Sequence, residues 1–382
     1  MQQKLTFPQA SHFQGELKRR VDAYFAERGL SKAANGSMVA KTVFWLAFTW
    51  GSWALTLAQV VPFPFNLILW IMQGFGFACI GFNIGHDAIH GAYSEKPRVN
   101  ALLSWTFDIM GASSFTWKVA HNVIHHTYTN IPGVDGDLEP GPTMVFYPQK
   151  TKWFHRFQHL YAWYLYSYIG VIWMYLKDFA QLRRGDPLNG KMAAPIDVAQ
   201  LFAGKALHFG LLVVVPFFVL QQPIWQIALG YWLLLSAAGV TLAIVFQLAH
   251  VVEGIVFPRV PRVDGVTQTQ MPEAWAEHQL RTTANFGVTP LSTFICGGLD
   301  FQIEHHLMPR ICHCHYRALA PIVEQCAKDH GLPYVHSGSF PSAIGSHYRA
   351  LKRLGRGDVE EFAVSPSGLS ELGQSRDIAA AE

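Results

Sequence analysis

Three groups of residues have the spacing of metal ligands. His86 and His90 lie four apart; His121, His125 and His126 form a second group; Gln302, His305 and His306 form a third. Neutral imidazole is the commonest side-chain metal ligand. On a helix, His86 with His90 and His121 with His125 would each share a face, as would Gln302, His305 and His306. His126 would be turned by about 100° from His125. One such pair is usually structural. Three, set among long uncharged apolar stretches, point to a site for more than one metal ion at a membrane surface, of the kind oxygen chemistry on a lipid requires.

His250 joins them because it ends an apolar stretch at the depth where His90 ends another. Eight histidines, with Gln302 as a further oxygen donor, direct or through water, are too many for one tetrahedral zinc. They suit two ions of higher coordination, and imidazole accommodates iron, zinc, copper or nickel. A ligating imidazole usually donates its second N–H to a carboxylate or carbonyl. Asp87, Asp135, Asp137 and Glu304 are placed to accept it, the alternative being solvated loop charges.

These residues must be held by an apolar scaffold. Of 382 residues, 50% are hydrophobic and 14% charged, against roughly 25% charged in soluble domains. No Asp, Glu, Lys or Arg occurs from Thr42 to His86 or from Ala206 to Val252. Each stretch has room for two crossings of about 20 residues, and each is broken by a turn signal, at Pro62 and Pro64 or at Gln221-Gln222-Pro223. The expected fold is an all-α integral membrane protein. Four transmembrane helices in two hairpins, near 42–61, 66–86, 203–220 and 224–250, carry a cytoplasmic helical cap holding the dimetal site. A soluble core with two buried hairpins is the alternative. Basic residues from Lys18 to Lys41 precede the first stretch, which places the N-terminus in the cytoplasm. The polar opening residues do not resemble a signal peptide. There the five cysteines are expected to be reduced.

Residues 1–37 read as a lead-in whose Phe13, Leu17, Val21 and Phe25 share one helical face, either resting on anionic headgroups or packing on the domain 38–340. The aromatic stretch 157–176 could be a fifth span. Tyr and Trp favour the interface, and a crossing there would strand the third histidine group on the opposite side, so an in-plane helix is expected. Residues 341–382 read as a polar tail.

The strings GHDAIHG at 85–91, HNVIHHTYTN at 121–130 with Asp135 and Asp137 following, and GGLDFQIEHHLMP at 297–309 resemble the membrane fatty acid desaturases. The likeness is greatest to the front-end branch (Δ5/Δ6, linoleoyl-CoA or acyl-lipid), in which Gln replaces the first His of the last box. It covers roughly residues 10–340. The resemblance implies a cytoplasm-facing pair of iron ions held by His86, His90, His121, His125, His126, His250, His305 and His306, with O2 as co-substrate. Many front-end enzymes carry a fused cytochrome b5 domain with an HPGG string, which this sequence lacks. A separate donor, ferredoxin or cytochrome b5, is then expected. The run Cys312-His313-Cys314-His315 looks like a metal knuckle, but its spacing is poor for zinc and it is read as structural.

Removing two hydrogens from an unactivated methylene pair needs a strong oxidant, which no acid–base or nucleophilic side chain supplies. The chain must therefore hold a fatty acyl substrate, within membrane lipid, in a narrow apolar tunnel beside the metals. Trp105, Phe115, Trp117 and Phe286 are the expected walls, and Arg281 or Lys118 could meet the headgroup. Histidine spacing does not separate desaturation from hydroxylation or oxidative decarboxylation. A membrane metal transporter or zinc-dependent receptor or hydrolase is the rival of another class, but transporters place ionisable residues within spans, and the stretches 42–86 and 206–252 hold no Asp, Glu, Lys or Arg. No nucleic acid partner is expected.

Overall fold

The computed structural model describes residues 4–185, 190, 192–260 and 268–358, and it is mostly helical. Helix α1 (His12–Arg28) is capped by Ser11, whose hydroxyl accepts from the Gln14 amide, and ends at Gly29 with φ of 58°, a left-handed cap that glycine adopts without Cβ strain. Helix α2 spans Gly36–Leu57, capped by Asn35. Helix α3 spans Leu67–His90, α4 Pro97–Ile109 and α5 Lys118–His125. Then come α6 (Gln158–Tyr166), α7 (Pro195–Leu220), α8 (Ile224–His250), α9 (Trp275–Thr282), α10 (Gln302–Leu307), α11 (Tyr316–Asp329) and α12 (Phe340–Arg356). Strand β1 (Lys4–Thr6) pairs in parallel with β2 (Gln268–Gln270), Lys4 opposite Gln268.

Among the described residues, α3, α7 and α8 are the helices long and apolar enough to cross a membrane. α2 lies where the first of four spans was expected, but it begins and ends earlier than 42–61 and carries Thr and Ser along its buried face. Met38, Thr42, Trp45, Thr49, Ser52 and Thr56 are its buried positions, and the Thr49, Ser52 and Thr56 hydroxyls donate to carbonyls of their own helix. Small residues let helices approach closely. A Cβ on Gly76 would strike Thr49, one on Gly74 the Leu234 carbonyl, and one on Gly230 the Trp70 ring. So α3 lies between α2 and α8. The outer faces remain apolar: Val43, Phe65, Ile68, Phe202, Phe218, Ile224 and Trp225 are all more than half exposed, a surface suited to lipid.

The face of α1 does not lie free for headgroups. Phe13, Leu17, Val21 and Phe25 are buried with Ile303 of α10 and Leu319, Val323 and Cys326 of α11. At about 1.5–3 kcal/mol per side chain this burial contributes roughly 6–12 kcal/mol as an upper estimate. The aromatic stretch is not one long helix, because α6 ends at Tyr166 and a new helix starts at Ile169. The tail expected from 341 is corrected. α12 buries Ala343, His347, Ala350, Leu351 and Leu354, and the His347 Nε2 meets the Tyr166 hydroxyl at 2.8 Å. The residues of that tail from 359 on lie outside those described.

Candidate metal centre

The eight histidines arrive on four elements. α3 changes near its end from α to π geometry over Gly81–Gly85, and the His86 amide donates to the Gly81 carbonyl. α5 is π-helical throughout Lys118–His125, and the His126 amide donates to His121, five residues back, at 3.0 Å. Such turns insert an extra residue and concentrate at functional sites. Here they correct the α-helical expectation for His126, whose ring lies 4.7 Å from that of His121. His250 ends α8. His305 and His306 sit on α10, reached through Gly297 and Gly298 with φ of 61° and 75°. A Cβ on Gly297 would overlap the Phe82 carbonyl in the α3 π turn, so glycine is what lets this loop pass.

All eight converge. His86, His90, His121 and His305 form one group with donor atoms within 4.8 Å of one another; His125, His250 and His306 form another; His126 joins His305 and His306 between them. Seven are buried, and His90 is the partly open one. In four of them one ring nitrogen is anchored. His125 Nδ1–H donates to Asp135 Oδ2 at 2.8 Å. His306 Nδ1–H donates to Gln279 Oε1 at 2.7 Å, His250 Nδ1–H to the Thr282 carbonyl at 3.3 Å, and His305 Nδ1 meets the Tyr316 hydroxyl at 3.3 Å. Nε2 of His125, His305 and His306 is then left buried without a partner, as are His90 Nε2, both nitrogens of His86, and Nδ1 of His121 and His126. His126 and His121 face each other Nε2 to Nε2 at 3.1 Å. The Gln302 amide lies 3.0 Å from His250 Nε2.

Burial, then the neighbouring imidazoles, hold the pKa of His121, His126, His305 and His306 well below the ordinary value, so these rings present lone pairs. Burial acts the same way on His125, but the Asp135 charge and hydrogen bond outweigh it and raise that pKa. Buried polar nitrogens without partners are costly. A cluster of them, oriented by anchored Nδ1 atoms, is the arrangement a metal centre requires. The fit is to nitrogen-preferring cations, in two adjacent groups.

An apolar cavity opens beside His86. It is walled by Phe82, Phe107, Trp117, Trp173 and Phe246 and deepens to Phe77, Met110, Gly111, Met174 and Leu235.

A fatty acid desaturase family model matches residues 62–338. The sn-1 linoleoyl-lipid 6-desaturase of Synechocystis sp. is 36% identical over 358 residues, covering 93% of this chain and 98% of that protein. The protein of the same name from Arthrospira platensis is 33% identical, covering 92% and 95%. An acyl-lipid (8-3)-desaturase of Physcomitrium patens is 33% identical across 89% of this chain and 71% of its own length. The chain belongs to the fatty acid desaturase family. It is a membrane desaturase of front-end type, an oxidoreductase of fatty acyl chains.

Within this desaturase the expected supporting carboxylates divide. Asp135 holds His125. Asp137 stands 3.9 Å from the same nitrogen and pairs with Lys177 at 2.8 Å. Asp87 is 3.5 Å from His86 Nδ1, beyond good hydrogen-bond geometry, and instead accepts from the amide and Nδ1–H of His313 at 3.1 and 2.8 Å. Glu304 does not touch a ligand histidine. It turns to Asn285 and Tyr334, each at 2.8 Å, and burial pushes its pKa up to about 7. His313 is also bonded to Lys41 through Nε2 at 2.6 Å, so the knuckle-like run is tied down by hydrogen bonds. Of the expected tunnel walls, Trp117 lines the cavity, its ring 3.7 Å from that of His121. Trp105 and Phe115 do not line it, nor does Phe286, which is core, packed near Phe340. Arg281 pairs with Glu273 at 2.9 Å, and Lys118 is exposed. Gln279, Thr282 and Tyr316 escaped sequence reading. Gln279 and Thr282 lie on a segment with no metal-ligand spacing, and Tyr316 follows a run read as structural, so only the fold reveals what they touch.

Proposed function

We propose that this desaturase inserts a cis double bond into the acyl chain of a membrane lipid, using O2 and a pair of iron ions. The first group, His86, His90, His121 and His305, would hold one iron. His125, His250 and His306 would hold the other, with Gln302 beside it and His126 between. Iron bound there supplies the oxidant that hydrogen removal from unactivated carbon demands. In the overall reaction a –CH2–CH2– pair and one O2, with two electrons and two protons, give –CH=CH– and two waters. The electrons come from a separate ferredoxin or cytochrome b5.

The chain's own part is positional. Asp135, Gln279, Thr282 and Tyr316 fix ring orientation, so Nε2 atoms face inward. Trp117, Phe107 and Phe246 exclude water and confine the acyl chain beside His86. The relatives named as linoleoyl-lipid 6-desaturases support an acyl-lipid substrate and the C6 position. α2 with α3, and α7 with α8, make two membrane hairpins, which puts His90 and His250 together at the cytoplasmic boundary.

The reading rests on one observation: unpartnered buried imidazole nitrogens cluster beside an apolar cavity that His86 lines. Expression in a host lacking the activity, with linoleate supplied, tests it. Mass spectrometry of the lipids is expected to show a triene with a new bond at C6, and the purified chain to contain about two irons, the number two ligand groups imply. A hydroxylated product, or zinc alone with unchanged lipids, refutes it.

A further inference from the structure

The inner end of the cavity is built as firmly as its mouth. Along α8 the lining runs from Phe246 to Leu235, and along α3 from His86 to Phe77. At 1.5 Å per helical residue these are depths of about 16 and 13 Å. The two helices, read independently, agree. Carbon–carbon bonds of about 1.5 Å in an extended zigzag advance roughly 1.25 Å per carbon. The depth thus takes about 11 to 13 carbons. An 18-carbon chain reacting at C6–C7 leaves about eleven beyond the bond, within the depth set by the helical rise.

The floor is a backbone turn at the end of α4. Gly111 has φ of +94°, and a Cβ there would strike the Met174 sulfur and crowd the His208 ring. Both neighbouring carbonyls are tied from below. His208 Nδ1–H donates to the Ile109 carbonyl at 3.0 Å, and its Nε2 accepts from the Tyr231 hydroxyl at 3.0 Å. The Lys205 ammonium donates to the Gly111 carbonyl and pairs with Asp178 at 2.6 Å. Asp178 also accepts from Thr116 at 2.6 Å and from the Trp173 indole at 3.2 Å. Phe77 and Leu235 are packed in one apolar cluster with Met110 against it. A longer chain would have to break satisfied buried hydrogen bonds or push aside packed side chains.

We propose that the Ile109–Gly111 turn, braced by Lys205 and His208, is the stop for the methyl end and sets the longest acyl chain this enzyme accepts. The inference rests on the acyl reading of the cavity. Met110, whose side chain reaches up to Gly81, narrows the space above that stop, and Ala238, one helical turn above Leu235, is the position that sets effective depth.

The test uses the full chain in the same host, given 16-, 18- and 20-carbon substrates together, with product ratios read by mass spectrometry. Met110→Ala is expected to raise the 20-to-18 product ratio by about tenfold, the scale on which apolar pockets discriminate single methylene steps. Ala238→Leu, which fills rather than empties, is expected to shift the ratio toward 16 carbons by a similar factor. If Met110→Ala fails to accumulate, the Ala238→Leu ratio decides. Unchanged ratios with the wild-type 18-carbon product intact overturn the stop while leaving the acyl reading standing. No product from the wild type overturns both.

Discussion

Asp135 offers the sharpest test of how the site is held. It is 1% exposed, so solvent does not screen what it does. One oxygen accepts from His125 Nδ1–H at 2.8 Å and from the Asn130 amide at 3.0 Å; the other accepts from the Asp137 amide at 3.0 Å. Asp135→Asn keeps the shape and can keep an acceptor toward His125, but removes the charge. A hydrogen bond to a charged group contributes about 1.5–3 kcal/mol. Loss of an outer partner of a metal ligand typically weakens metal binding about 10- to 100-fold, which at 1.36 kcal/mol per decade is about 1.4–2.7 kcal/mol. The two estimates agree. Iron per purified chain, followed through a chelator titration, is expected to fall at a chelator concentration about 10- to 100-fold lower than in the wild type. Identical titration midpoints would show that the carboxylate does not orient His125 for a metal, and the reasoning from anchored Nδ1 atoms would fail with it.

Four further outcomes are expected. His305→Ala abolishes product while the chain still reaches the membrane fraction; retained turnover removes His305 from the metal. Cys312→Ser leaves iron content unchanged and lowers the unfolding free energy by only about 1–3 kcal/mol, the cost of burying a hydroxyl; loss of iron would mean that the knuckle-like run binds metal after all. Lys205→Met leaves Asp178, 1% exposed, without its cation and should cost about 3–5 kcal/mol in thermal unfolding of the detergent-solubilised chain, with partial recovery when Asp178→Leu is added. Gly297→Ala, at φ of 61° and against the Phe82 carbonyl, should destabilise the fold by at least the roughly 1–2 kcal/mol of a left-handed alanine and lower iron content and activity with it; an unaffected variant would show that the loop can pass the π turn by another route.

The histidine groups that converge were legible in the sequence because each group is local, and chemistry constrains spacing within a turn. The turn at Gln221-Gln222-Pro223 likewise marks the start of α8, since proline at a helix start carries its own signal. What failed was geometry decided from outside the segment. Nothing in KVAHNVIH announces a π turn, and assuming α geometry splayed His126 away from His121. Glu304 lies within the third histidine group but is claimed by Asn285 and Tyr334. Phe286 was assigned to the cavity by aromatic character alone, which does not distinguish a wall from a core. The stripe of α12, Ala343, His347, Ala350, Leu351 and Leu354, is spaced for one helical face, and reading the segment by its polar composition alone hid it.

The two ends of the polypeptide complete one another. β1 is hydrogen-bonded to β2, more than 260 residues later, and the apolar stripe of α1 finds its cover on α11. During synthesis the opening helix therefore waits, its greasy side uncovered, until nearly the whole chain has left the ribosome. α11 also brings Tyr316 to His305. The histidine cluster is thus completed late, only after α11 has docked on α1.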